Sequence, residues 1–307
     1  MGTASIAAPV VRAERHTARP SFVGMVRGEL FKVSRQRATW ILALVLGAII
    51  CLPFLVVLTG QGFKNGLQLA PLDELYRTMG RNLLVLRVFS GTFLILLTAR
   101  LIGMEYSSGT IRVLLGRGVG RLQLLGAKLA AIALIALGVL VAGLALETLL
   151  TVVTVQMAAG NLNALKALDG AFWNDTWLYV VTILINMAAT ILMATAVTVI
   201  GRSLAVGLSV GVSFFAVDNI GVIFFFLAYR LTNSTFWTQA TGDLLGPNLN
   251  AMAAAILPGR ASIATFRAMT PPLVPVDGGH TLLVTAIWSA AFLVTAVVLT
   301  WKRDVTE

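Results

Sequence analysis

LLVLRVFSGTFLILLTARLIGM, Leu83–Met104, runs directly into EYSSGTIRVLLGRGVGRLQL, Glu105–Leu124. The first stretch is apolar over a length that crosses a bilayer, which takes about 20 residues. The second is short, basic and punctuated by glycine. Working outward, five more segments have the first stretch's character: Thr39–Leu58, Leu129–Met157, Trp177–Ile200, Leu204–Ala228 and Thr281–Trp301. Long apolar runs with scattered glycine suit packed helices; a barrel would show shorter, alternating segments. Six transmembrane helices in an all-α membrane protein are therefore predicted.

Composition agrees. Of 307 residues, 58% are hydrophobic and 12% charged, against about 25% charged in soluble domains. Mean hydropathy is +0.89. The net charge of +10 does not point to nucleic acid, because the cations flank apolar runs instead of forming a soluble patch. The one cysteine, Cys51, cannot make an internal disulfide, and with two histidines it offers no metal site.

Lysine and arginine set the expected orientation. With the N-terminus cytoplasmic, fifteen of the 23 lie on the cytoplasmic side and seven outside, with Arg87 inside a span. Both termini are then cytoplasmic. Residues 1–20 read as a flexible tail and 21–307 as a single six-helix domain. FVGMVRGELFKVSRQRATW, from Phe22, places Phe22, Met25, Val26, Leu30 and Val33 near one helical face. Its cations suit contact with anionic lipid, so an interfacial helix is expected, with an N-terminal extension of span one as the alternative. Between spans five and six, NLNAMAAAIL is too short to cross, and short helices dipping into the outer leaflet are expected, with a plain structured loop as the alternative.

The Met104–Leu124 patch falls on the cytoplasmic side between spans two and three. Ser107, Ser108 and Thr110 offer N-cap oxygens, Ile111, Leu114 and Leu115 share a helical face, and Gly116, Gly118 and Gly120 break it. The patch reads as a short amphipathic helix open to a cytoplasmic partner; a plain interfacial connector is the alternative.

These residues resemble a known family. Glu105-Tyr106-Ser107-Ser108-Gly109-Thr110, with Arg112, Leu114-Leu115, Arg121 and Lys128, is similar to the segment after the second helix in ABC-2 type transporter permeases, the membrane subunits of a class of ATP-binding cassette exporter. Glu29-Leu30-Phe31-Lys32 with Arg35 and Arg37 is similar to that family's entry helix, and Lys302-Arg303-Asp304-Val305 to its ending. Gly118 departs from the pattern, standing where the family often has proline. The resemblance implies a coupling helix seated on a separate ATPase subunit, contacted by Glu105, Tyr106, Gly109, Thr110, Arg112, Leu115 and Arg121. It implies two ATPase copies and a second permease, identical or not, in a bacterial inner membrane. ATP and Mg²⁺ would sit on the partner, and the chain itself would bind no cofactor.

The chain holds no G-x-x-x-x-G-K-[ST] phosphate loop, H-E-x-x-H or G-x-S-x-G, so it is not expected to be an enzyme. Arg87, Glu147 and Asp218 fall inside spans, where an unpaired charge costs about 2.5–3.5 kcal/mol or more. Arg87 is expected to pair with Glu147 or Asp218 near a translocation path, or merely to fix helix register. The resemblance places Phe89, Thr92 and Asp218 among lining candidates; Phe214, Phe215 and Phe224–Phe226 could face an amphipathic cargo. Two other classes stay open: a non-transporting immunity or sensor module, and an ion-driven transporter using Asp218 and Glu147 as a proton site.

Overall fold

The computed structural model describes residues 21–110, 113, 118–264 and 269–302. The tail, Ile111, Arg112, Leu114, Leu115, Gly116 and Arg117, and the Arg303–Val305 ending lie outside the described residues. Every regular element among the described residues is helical.

Helix α1 (Phe22–Arg35) opens with Ser21, whose hydroxyl accepts from the Gly24 N–H. Gln36 then takes an extended conformation, and α2 (Arg37–Thr59) starts afresh. The segment before span one is therefore a separate helix and does not extend α2. α3 (Gln61–Leu69) is short and amphipathic. It leads into α4 (Pro71–Ser107), which begins with proline at its first position, where no backbone hydrogen bond is lost. α5 (Arg121–Ala159) follows Gly120 and ends at left-handed Gly160. The side chain of Asp169 accepts from the Phe172 N–H and so caps α6 (Gly170–Gly201).

The fifth apolar run is not one rod. It forms α7 (Leu204–Ile220) and α8 (Val222–Thr232), bent by 51° at Gly221. Three short helices come next: α9 (Phe236–Ala240), α10 (Leu245–Ile256) and α11 (Gly259–Ala264). α12 (Gly278–Lys302) is last, and the Asp277 carboxylate accepts from the His280 N–H in its first turn. Among the described residues, five helices are long and apolar enough to cross a membrane, six with the bent pair counted as one span. The extra length over the predicted spans is polar helix beyond the apolar runs, which a hydropathy reading leaves out.

α4 and α6 form the buried centre, packed on each other. α7 lies against both, α12 flanks α6, and α2 and α5 close the other side of α4. With so little polar surface, close approach of backbones does much of the packing. Gly103 on α4 shows it: a Cβ there would lie 2.7 Å from the Leu204 Cα. α10 is almost wholly buried against α6, α7 and α12, with Gly246 seated on the Asp218 backbone at the α7 bend. It is a wedge inside the bundle more than a surface loop.

Candidate functional site

Four charged side chains meet where α1, the end of α4 and the start of α5 converge. Glu105 Oε1 accepts from Lys32 Nζ at 2.6 Å and lies 2.8 Å from Lys128 Nζ. Glu29 takes the same two lysines on separate oxygens, Lys32 at 2.8 Å and Lys128 at 3.2 Å. Lys128 also donates to the Leu101 carbonyl at 2.9 Å. The cluster is electrically neutral. Glu29, Glu105 and Lys128 are buried, while the Lys32 side chain is 45% exposed. Glu29 and Lys32 are neighbours on one face of α1, three residues apart. The other two members come from helices 76 and 99 residues further along than Glu29 (105 − 29 and 128 − 29). Burial alone would lower the Lys32 pKa, but hydrogen bonds to Glu105 and then Glu29 outweigh it and hold the ammonium above its ordinary value of 10.5.

The connector begins two residues later. Ser107 Oγ accepts from the Leu204 N–H at 3.1 Å. Ser203, the residue at the N-cap position of α7, makes no side-chain cap bond, so Ser107 caps α7 from another helix. Tyr106 packs with Ile102, Leu125 and Val199. Ser108 and Thr110 share a hydrogen bond of 2.5 Å. Gly109 takes φ +67° and Gly118 φ +82°. Proline is locked near −65°, so the turn at Gly118 is built for glycine and shut to the family's usual residue. Arg121, at the α5 start, donates to the Trp301 carbonyl at 3.4 Å, bringing in the end of α12. Arg112 and Leu115 lie outside the described residues. Arg35 stacks over Phe31 at 5.1 Å and stays apart from the cluster.

The family model described as ABC-2 family transporter protein matches residues 25–229, a stretch that opens in α1, takes in the whole charge cluster and closes in α8. The chain belongs to this family. It is an ABC-2 type permease, a multi-pass membrane component of an ABC transporter and not itself an ATPase. Permeases of this family work with an ABC ATPase subunit. No curated protein matches the chain.

The permease's intramembrane charges do not assemble as predicted. Arg87 pairs with neither Glu147 nor Asp218. Its guanidinium donates to the Leu249 carbonyl and, at 2.9 Å, to Asn250 Oδ1, fastening α10 to α4. Arg87 is turned toward α10, with which it lines one cavity, while Glu147 lines another between α4, α5 and α6. Asp218 lies at the α7 bend beside Gly246. Glu147 and Asp218 are thus in different surroundings. Phe89 is partly exposed on α4, and the Thr92 hydroxyl donates to its own helix at Val88. Phe214 and Phe215 pack against Ile95, Met193 and Phe292 as core, leaving Phe224 and Phe226 exposed. Among the described residues, no group of three or more His, Cys, Asp or Glu could hold a metal.

In the sequence Lys128 belongs to the family-like motif, and no local spacing places it in the site. A lysine inside an otherwise apolar helix start was the available signal. Asn250 carried no signal, since its partner lies 163 residues away.

Proposed function

We propose that this permease exports a substrate by receiving force from two copies of a separate ATPase at the segment beginning with Glu105. The neutral, largely buried cluster of Glu29, Lys32, Glu105 and Lys128 carries the reading. It ties Glu105, near the end of α4 where the connector begins, to α1 and α5 at once, so a push on the connector reaches several helices together. Ser107 adds α7 to that set. Glu105 is the hinge, with Tyr106, Gly109, Thr110, Arg112, Leu115 and Arg121 meeting the partner. ATP and Mg²⁺ belong to that partner, and this chain binds no cofactor.

The working unit pairs two permeases, identical in the simplest case, in a bacterial inner membrane with both termini cytoplasmic. α1 then lies along the cytoplasmic headgroups, and α10 reaches into the outer half. Closure of the ATPases rocks α2, α4 and the α7–α8 pair about the pair's axis, so a central cavity alternates between sides. Phe89 and Thr92 are candidate lining groups.

The test is co-purification with the ATPase, followed by ATP hydrolysis in proteoliposomes. Glu105→Gln is expected to keep the particle together while permease-dependent stimulation falls about tenfold, a barrier change of about 1.4 kcal/mol. Unchanged stimulation removes Glu105 from the route. A particle that assembles without any ATPase removes the whole reading and favours a non-transporting module.

A further inference from the structure

A cavity of about 280 Å³ opens between α4, α5 and α6, at the end of the bundle away from the charge cluster. Its walls are mainly apolar, with Leu83, Leu144, Val152 and Phe172 among them. Two buried oxygens in this lining have no hydrogen-bond partner: Glu147 Oε1 and Thr78 Oγ1. Glu147 is 6% exposed and Thr78 4%. No lysine or arginine lines the cavity. The other hydroxyls are occupied: Thr148 donates to Leu144, Thr151 to the Glu147 carbonyl, and Thr176 to Phe172.

Such a lining asks for one kind of guest. A buried carboxylate without a counter-charge is costly, and a cation brought beside it removes that cost. An anion or a plain acceptor would meet only oxygens. A Ca²⁺ or Mg²⁺ ion wants six or more oxygens, far beyond what this apolar wall offers. An ammonium group supplies both needs, a positive charge and N–H donors for the two unpartnered oxygens. Its carbon body fits the apolar walls, and the faces of Phe172 and Trp173 favour a nearby cation. The space equals about nine water volumes at about 30 Å³ each, enough for a compact amine and too little for a two-chain lipid. Trp173 and Trp177 are exposed at this end, and Trp40 and Trp301 at the other. Tryptophans gather at membrane interfaces, so the cavity opens at headgroup level, within reach of solutes dissolved in the bilayer.

We propose that this cavity binds the ammonium group of an amphiphilic amine, held by Glu147 and Thr78 and enclosed by Phe172 and Trp173. The site stands apart from force coupling and is tested on the full chain in phosphatidylcholine nanodiscs without an ATPase. The probe is dansylcadaverine, a primary amine whose emission rises in apolar surroundings; dansylamide, which lacks the ammonium, is the control. Wild type should give saturable binding. Glu147→Gln should raise the Kd at least about tenfold and Thr78→Val about threefold, as expected of a charged and a neutral hydrogen bond. Dansylamide should not distinguish the variants. Equal affinity in wild type and Glu147→Gln overturns the site, as does absence of saturable binding to wild type. If Glu147→Gln does not give monodisperse protein, Thr78→Val and the cavity-filling Leu144→Trp decide: weaker binding in both supports the site, and unchanged affinity in both overturns it. In nanodiscs of phosphatidylethanolamine, whose headgroup carries the same ammonium, a higher apparent Kd assigns the lipid headgroup as a competing occupant of the site. An unchanged Kd there leaves the free amine as the occupant.

Discussion

Lys32 and Lys128 hold the same two carboxylates but live in different solvents. Lys128 is 4% exposed and Lys32 45%. Removing one member of a buried charge network strands its partners and costs about 3–5 kcal/mol, whereas exposed pairs are worth about 0–1 kcal/mol. Thermal unfolding in detergent should therefore rank Lys128→Met as far more damaging than Lys32→Met; equal losses would mean that the cluster is open to water. The pH dependence of the Lys32 share has a definite sign. A raised folded pKa means the stabilisation is complete below the unfolded value of 10.5 and fades as pH climbs through the folded one. The gap in melting temperature between wild type and Lys32→Met should thus hold steady from about pH 7 to 10 and narrow only above that. At this scale the sequence was partly readable. Glu105 stands out as an acid closing a long apolar run, and Glu29 with Lys32 as an i, i+3 pair. That they share one cluster was not readable, since no local spacing joins residues 29, 105 and 128.

Among the elements, α7 depends on others for its start and α10 for its place. Ser107→Ala removes the side-chain cap of α7 and should cost about 1 kcal/mol. The same change in a connector-capping serine would leave α7 untouched, so amide exchange at Leu204–Val206 separates the two roles. Gly103→Leu should be worse than Ser107→Ala, because its side chain would be driven into the Leu204 backbone, and overpacking typically costs 1–3 kcal/mol or more. Arg87→Leu should loosen α10, seen as faster proteolysis within residues 257–277; unchanged cleavage would show that apolar packing alone holds the wedge. Hydropathy made the spans legible because each apolar run exceeds the bilayer's demand. It could not show the break at Gln36 or the bend at Gly221. Both depend on backbone angles that leave the apolar pattern intact. Nor could it show that α10, apolar but short, sits buried among three longer helices.

For the whole molecule, the fold class and family follow from features that survive without coordinates: six apolar runs, a basic connector and a block of residues after span two. What coordinates add is the way force would spread. α7 is held at its first residue by the connector's Ser107 and ends 17 residues later at a 51° bend. A straight shaft passes thrust along its own length; a shaft with an elbow turns much of it into sideways swing of the far limb. α8, with Phe224, Phe226 and Leu231 exposed, is that limb, so the widest sweep on nucleotide addition should occur there and not at the end being pushed. Spin-label distances from α2 to α8 should change more than those from α2 to α7. Equal changes would make the elbow a welded joint, and the chain's travel a plain tilt.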